Sequence, residues 1–319
     1  MSASGGRSPA LESYFASRNL AVLIARLIAD AENLSAKIDT VRAEMEKCGV
    51  RLASAAMLDF CDKTLQIASP DDGADVLRGA LDAHFGASDG LVTDHEPILP
   101  KVFISDMDST MIGQECIDEL ADFAGLKERI ADITERAMQG ELDFESALRE
   151  RVGLLAGLRE TAVDDCLAER IRPMPGAKTL VETLKKFGCR TVLVTGGFHH
   201  FADPIAAMLG FEHVVGNRLA VADGKLTGEL AGPVVDSSVK KATLLAEIAA
   251  VAGEGADFVP SLATGDGAND IPMLEAATYG IAYHAKPKAR LAANGWIDRG
   301  DLTDVLRLLG IDEQDWVHG

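Results

Sequence analysis

The chain has 319 residues, 47% of them hydrophobic, which is enough for one large domain or two ordinary ones with proper cores. Its formal charge of -19 argues against nucleic acid as a partner, because neutralising a phosphate backbone needs a basic face; an anionic substrate would have to be met by cations placed locally. No apolar run reaches the roughly 18–20 residues of a membrane-spanning helix, and the best candidate, residues 19–30, is broken by Arg26.

Residues 1–18 lack a charged segment followed by an apolar core, so they are expected to form a disordered tail, and the protein is expected to be cytoplasmic. From 19 to 96 the pattern reads strand (19–28), helix (34–48), strand (51–60), strand (63–69), helix (72–85), strand (90–95). Ile38, Val41 and Met45, then Val76, Leu77 and Leu81, recur at helical spacing, while "SPDDG" and "GASDG" supply breaks. The order βαββαβ predicts a small ferredoxin-like, ACT-like module. No ligand-specific motif stands in it, so its expected role is packing or homodimerisation, with a serine sensor as the alternative. The five cysteines are scattered singly with no CxxC pair and are expected to be reduced core thiols.

After "EPILPK" strands alternate with helices, which predicts an α/β domain over 97–319 with a Rossmann-like parallel sheet. The strands fall at "KVFIS", "TVLVT", "SLAT" and "GIAY"; helices are expected from just after Pro175-Gly176 to Gly188 and over 240–253, and a hairpin at "VADGKL". About 80 residues separate the first two strands, far more than one crossover helix needs. An inserted helical cap at about 113–172 explains them, its last helix opening with a T-x-x-D capping pattern at Thr161 and Asp164.

Three strand ends carry polar chemistry. Asp106 and Asp108 close the first, and alternation lets both point into one site while Met107 turns away. Thr195, Gly196 and Gly197 close the second, offering a hydroxyl and free N–H groups to a phosphate. The third runs "LATGDGAND", where Asp266, Asn269 and Asp270 offer hard oxygens to a cation such as Mg2+, though Asx and Gly also make plain turns. Lys241 opens the 240–253 helix as a candidate phosphate cation; Lys240 could fill the role instead.

This ordered set, DxD, Thr-Gly-Gly, Lys, then GDGxND, resembles the haloacid dehalogenase superfamily of aspartyl-phosphate enzymes, and within it "DMDSTMIGQE", the helical insert, "VTGGF" and "GDGANDIPML" look like the phosphoserine phosphatases over about residues 100–300. The resemblance implies Asp106 as nucleophile and Asp108 as general acid and then base. It implies Mg2+ on the Asp106 carboxylate, the Asp108 backbone carbonyl and Asp266. Thr195, Gly196 and Lys241 would surround the phosphate, Asn269 would help place phosphate or water, and Asp270 would orient the lysine or the metal shell.

In the cap, Phe144, Leu148 and Arg151 share one helix face, so a guanidinium stands on an apolar stripe, where a snorkelling arginine is the plainer alternative. By resemblance Arg151 would clamp a carboxylate, Glu115 would pair with an ammonium, and Phe144 with Met138 would close over the substrate. One cation and one anion suit the zwitterion of phosphoserine; a sugar phosphate needs neither. A related capped phosphatase or phosphotransferase is the competing expectation. A receiver-type signalling module is disfavoured, because Asp108 follows Asp106 and a cap is inserted. His199, His200 and the segment "YHAKPK" are expected to be structural.

Overall fold

The computed structural model describes residues 23–28, 33–59, 61, 63–138, 141–253 and 258–318. The expected tail over 1–18 and the first residues of the strand expected over 19–28 lie outside them. The amino-terminal module consists of β1 (Leu23–Ile28), α1 (Leu34–Lys47), β2 (Ser54–Met57), β3 (Thr64–Ser69), α2 (Ala74–Phe85) and β4 (Asp89–Thr93). Its strands lie antiparallel in the order β2-β3-β1-β4, a ferredoxin-like topology. Val41 and Met45 of α1 and Leu77 and Leu81 of α2 are buried against the sheet at the expected helical spacing.

The rest of the chain alternates strands and helices. It runs β5 (Val102–Ser105), four cap helices α3 (Cys116–Phe123), α4 (Lys127–Met138), α5 (Phe144–Leu154) and α6 (Thr161–Arg170), then α7 (Ala177–Lys186), β6 (Arg190–Phe198), α8 (His199–Leu209) and β7 (His213–Asn217). A separate hairpin, β8 (Leu219–Ala222) and β9 (Lys225–Leu230), precedes α9 (Ser237–Val251), β10 (Ser261–Gly265), α10 (Ile271–Ala276), β11 (Tyr279–Tyr283), α11 (Pro287–Ala292), β12 (Gly295–Ile297) and α12 (Thr303–Leu309). Strands β12, β11, β10, β5, β6 and β7 are parallel neighbours in that order. Period-two alternation divides their side chains between two cores. Phe103, Leu193 and Leu262 meet α7, α8 and α12 on one face, while Val102, Ile104, Val192 and Ala263 meet α9, α10 and α11 on the other.

Three features depart from the sequence pattern. First, the two modules share one ten-stranded sheet: β4 pairs antiparallel with β12, setting Gly90 opposite Trp296. Composition cannot reveal such edge pairing, and the three-residue β12 is too short to announce itself. Second, Thr161 does not cap α6, whose start is fixed by the hairpin instead, through Leu226 N to Leu158 O (2.8 Å) and Glu160 N to Gly224 O (3.0 Å). Third, α9 begins at Ser237, its N-terminal amides capped by the Asp236 carboxylate, and not at Lys240. At the root of the cap, an isolated bridge between Ile112 and Pro173 draws the two ends of the insert together.

Candidate active site

The carboxyl ends of β5, β6 and β10 converge, as parallel topology requires. Asp106 extends the β5 ladder by donating its N–H to Thr264 O (3.0 Å), which fixes its backbone; Met107 turns into the core, fully buried. Thr195 is buried three residues before the end of β6, where its Oγ1 accepts the Gly197 N–H at 2.8 Å. A Cβ at Gly197 would stand 3.2 Å from Asp108 Oδ2 and 3.1 Å from Met107 Cε, so glycine lets the second strand approach the DxD turn without pushing those side chains aside.

Asp270, fully buried, organises the third strand end by accepting the N–H groups of Asp266 (3.2 Å) and Gly267 (3.0 Å) on Oδ2. Its Oδ1 lies 2.7 Å from Lys240 Nζ, which also stands 2.7 Å from Asp106 Oδ1. This corrects the assignment of Lys241. Starting α9 at Ser237 puts Lys240, Leu244 and Glu247 on its buried face, and Lys241 faces solvent. Lys240 therefore stands where Lys241 was expected.

The cap completes the enclosure. Glu115, just before α3, accepts the Ser109 hydroxyl at 2.9 Å. Arg151 projects from α5 with Nε on Ala147 O (3.3 Å), and Phe144, 45% exposed at the first turn of α5, reaches across to Gly196, where an added Cβ would meet its ring at 3.4 Å. Asp106, Asp108, Glu115, Phe144, Arg151, Thr195, Gly196, Asp266 and Asn269 all line a single cavity of about 750 Å³, and Lys240 lines it with them. Asp270 lies behind its wall. Met138 ends α4, and its side chain lies outside the described residues.

The cavity also draws in residues the sequence did not single out, among them Val235, Asp236 and Lys286. Lys286, in the segment expected to be structural, donates its N–H to Asp266 O (2.9 Å) and brings Nζ to 3.5 Å from Asp266 Oδ2. Its signal was weak: a lysine three residues past a strand end looks like any surface charge. His199 and His200 do not line the cavity, and His199 Nδ1 is engaged by Asp203 Oδ1 at 2.7 Å.

The electrostatics are set by burial. Burial, then the charge of Glu115, raises Asp108 to about 7, so it holds a proton near neutrality. Burial raises Glu115, and burial lowers Arg151 against the opposing pull of Asp118 and Glu115. Burial also disfavours the charge on Lys240, but Asp106 and Asp270 together outweigh it and hold the ammonium charged. Burial and the neighbouring Asp270 push Asp106 well above the usual carboxylate range against the pull of Lys240, and burial raises Asp266 as well. Asp106, Asp266 and Asp270 offer carboxylate oxygens all within 4.8 Å of one another. Lys240 answers Asp106 and Asp270, and the exposed Lys286 reaches Asp266 only at 3.5 Å, so the three crowded acids keep a surplus of negative charge, and an all-oxygen set suits a hard divalent cation.

A haloacid dehalogenase-like hydrolase model matches residues 103–275, more than half of the chain. The chain belongs to this family. A phosphoserine phosphatase of Saccharomyces cerevisiae is 35% identical over 299 residues, covering 90% of this chain and 96% of its own. One from Streptomyces coelicolor is 43% identical over 215 residues, but that match takes in 67% of this chain and only 52% of the relative, so the chain spans about half of that longer protein. The crystal structure of a probable phosphoserine phosphatase from Vibrio cholerae superposes with a TM-score of 0.69 at 29% identity, covering 92% of this chain and 88% of that one.

Proposed function

We propose that the protein is a cytoplasmic, Mg2+-dependent phosphoserine phosphatase that hydrolyses O-phospho-L-serine to L-serine and phosphate, the closing step of serine biosynthesis. The observation that carries this reading is one cavity with two unlike halves. Asp106, Thr195, Gly196 and Lys240 form a floor for a phosphoryl group, while Arg151 and Glu115 on the cap face it with one cation and one anion. A phosphorylated amino acid presents the complementary charges; a sugar phosphate does not.

An Asp106 oxygen attacks phosphorus, and the bond from phosphorus to the serine oxygen breaks. Asp108, protonated near neutrality, gives its proton to that departing oxygen. Its carboxylate then takes a proton from water, whose oxygen attacks phosphorus and releases Asp106. Lys240 and the Thr195 hydroxyl hold the phosphate oxygens, with Asp270 fixing Lys240 in place. Asp106, Asp266 and the Asp108 backbone carbonyl would hold Mg2+, with Asp270 beside them, and the ion when bound neutralises charge on the phosphoryl oxygens. Arg151 and Glu115 orient the serine, and Phe144 excludes water above it. The working units are a ferredoxin-like module over 19–96 and a phosphatase domain over 97–319 with its cap at about 113–172.

The test is Mg2+-dependent phosphate release from L-phosphoserine by the wild type and by Asp106→Asn. The variant should lose at least about 10⁴-fold in kcat; equal rates would refute the mechanism. Faster turnover of a sugar phosphate than of phosphoserine would refute the substrate.

A further inference from the structure

Asn217 is 1% exposed, lies at the end of β7, and uses both ends of its amide between two walls of the cavity. Its Nδ2 donates to Gly196 O at 2.7 Å, and its Oδ1 accepts the Val235 N–H at 2.9 Å. We infer that Asn217 is a positioning residue that locks the phosphate cradle of β6 to the segment carrying the active-site lysine. This inference rests on the reading of the β6 end as a phosphate site.

The strand pairing explains why such a lock is needed. β6 and β7 pair regularly from Val192 to Val194, the register then shifts, and pairing resumes only at Phe198 opposite Asn217. The interruption falls on Thr195, Gly196 and Gly197, the residues that face the phosphate. A bulge there releases backbone groups from the ladder and aims them at a ligand, and it also removes the bonds that would hold them still. The Asn217 side chain replaces what the ladder lost by gripping the Gly196 carbonyl, which fixes the orientation of the Gly196–Gly197 peptide.

Its neighbour serves the same end. A Cβ at Gly216 would stand 3.2 Å from Thr195 Cγ2 and 3.4 Å from Gly197 O, so β7 packs tightly against the bulge. The other end of the amide reaches α9. Val235 immediately precedes Asp236, whose carboxylate caps that helix and whose carbonyl accepts the Lys240 N–H at 3.1 Å. One buried amide thus ties the hydroxyl-and-amide side of the cradle to its ammonium side. Neither tie touches substrate, so the side chain acts through the groups it orients.

The informative variant is Asn217→Asp, nearly isosteric, which keeps an acceptor for Val235 N–H but sets an oxygen against Gly196 O; Asn217→Ala removes both ties. Calorimetry with inorganic phosphate and Mg2+ should show binding weakened about tenfold or more in Asn217→Asp. Its kcat on phosphoserine should fall about 30-fold with KM within about threefold, because the cap residues still hold the serine. Circular dichroism gives the folded fraction. Asn217→Asp with wild-type phosphate affinity and kcat, within about twofold, overturns the inference. So do losses in both variants that merely follow the folded fraction. A wild type that binds phosphate more tightly than Asn217→Asp yet leaves phosphoserine intact would reject the proposed substrate and keep this role for Asn217.

Discussion

The two halves of the continuous sheet use charge in opposite ways. In the amino-terminal half, the buried Arg26 is answered by Glu96, Gln66 Oε1 (2.9 Å) and Leu308 O (3.1 Å), and Asp89 by three backbone N–H groups from residues 298–300 at 2.7–3.0 Å. At the carboxyl ends of β5, β6 and β10, Asp106, Asp108, Asp266 and Asp270 crowd around Lys240, and burial leaves Asp106, Asp108 and Asp266 with raised pKa values. Satisfied polar groups stabilise a fold, whereas incompletely answered ones store binding capacity for a ligand and a metal. The same sheet therefore supports a quiet half and a reactive half.

The sharpest way to break this contrast is the lysine pair. Lys240→Met should lower kcat about 10³-fold, since it removes the only buried ammonium on the phosphate floor among the described residues. Lys241→Met, on the solvent face one residue on, should stay within about twofold. Steady-state kinetics on phosphoserine decides, and equal effects would dissolve the distinction. In the quiet half, Trp296 is fully buried with the Arg78 and Arg290 guanidiniums 4.7 and 5.2 Å from its ring, where the two modules join. Trp296→Ala should lower stability in urea by about 3–5 kcal/mol, while kcat per folded molecule stays within about threefold. A large kcat loss in folded protein would show that the seam reaches the chemistry.

Much of this was legible because strong local signals coincided with function. The DxD turn, Thr-Gly-Gly and GDGxND each combine a strand end with residues unusual there, and the cap helices announce themselves by period and by the length of the insert. What stayed illegible depends on long-range or sub-turn geometry. Choosing Lys240 over Lys241 needed the helix phase, which Asp236 sets four residues upstream. Asn217 reads as an ordinary polar residue closing a strand; only the register shift opposite Thr195 gives it a task. The β4–β12 joint involves three residue pairs about 200 positions apart, beyond any local pattern.

Arg151 sharpens the contrast between floor and cap. If the cap reads the amino acid and the floor reads phosphate, Arg151→Met should raise KM for phosphoserine about 30-fold, near the 2 kcal/mol of a charge-assisted hydrogen bond. Hydrolysis of a phosphate ester with no carboxylate should change less than about threefold. Equal losses on both substrates would place Arg151 on the phosphate and not on the carboxylate.

The smallest effect tests the reactive half through stability. Asp108 sits at about 7 in the folded protein against an ordinary carboxylate value of 3.8, raised by burial first and then by Glu115. Folding thus favours its protonated form. The stability it contributes is complete below about pH 4 and is lost as pH rises through about 7. Asp108→Asn cannot ionise and keeps that stability at every pH. In chelator-treated protein the variant should match the wild type near pH 4 and melt higher above pH 8, by about 2 kcal/mol after discounting for partial solvation, roughly 4 °C. A constant gap across that range would mean that Asp108 titrates as an ordinary surface carboxylate. The proton it needs as a general acid at neutral pH would then have no structural source.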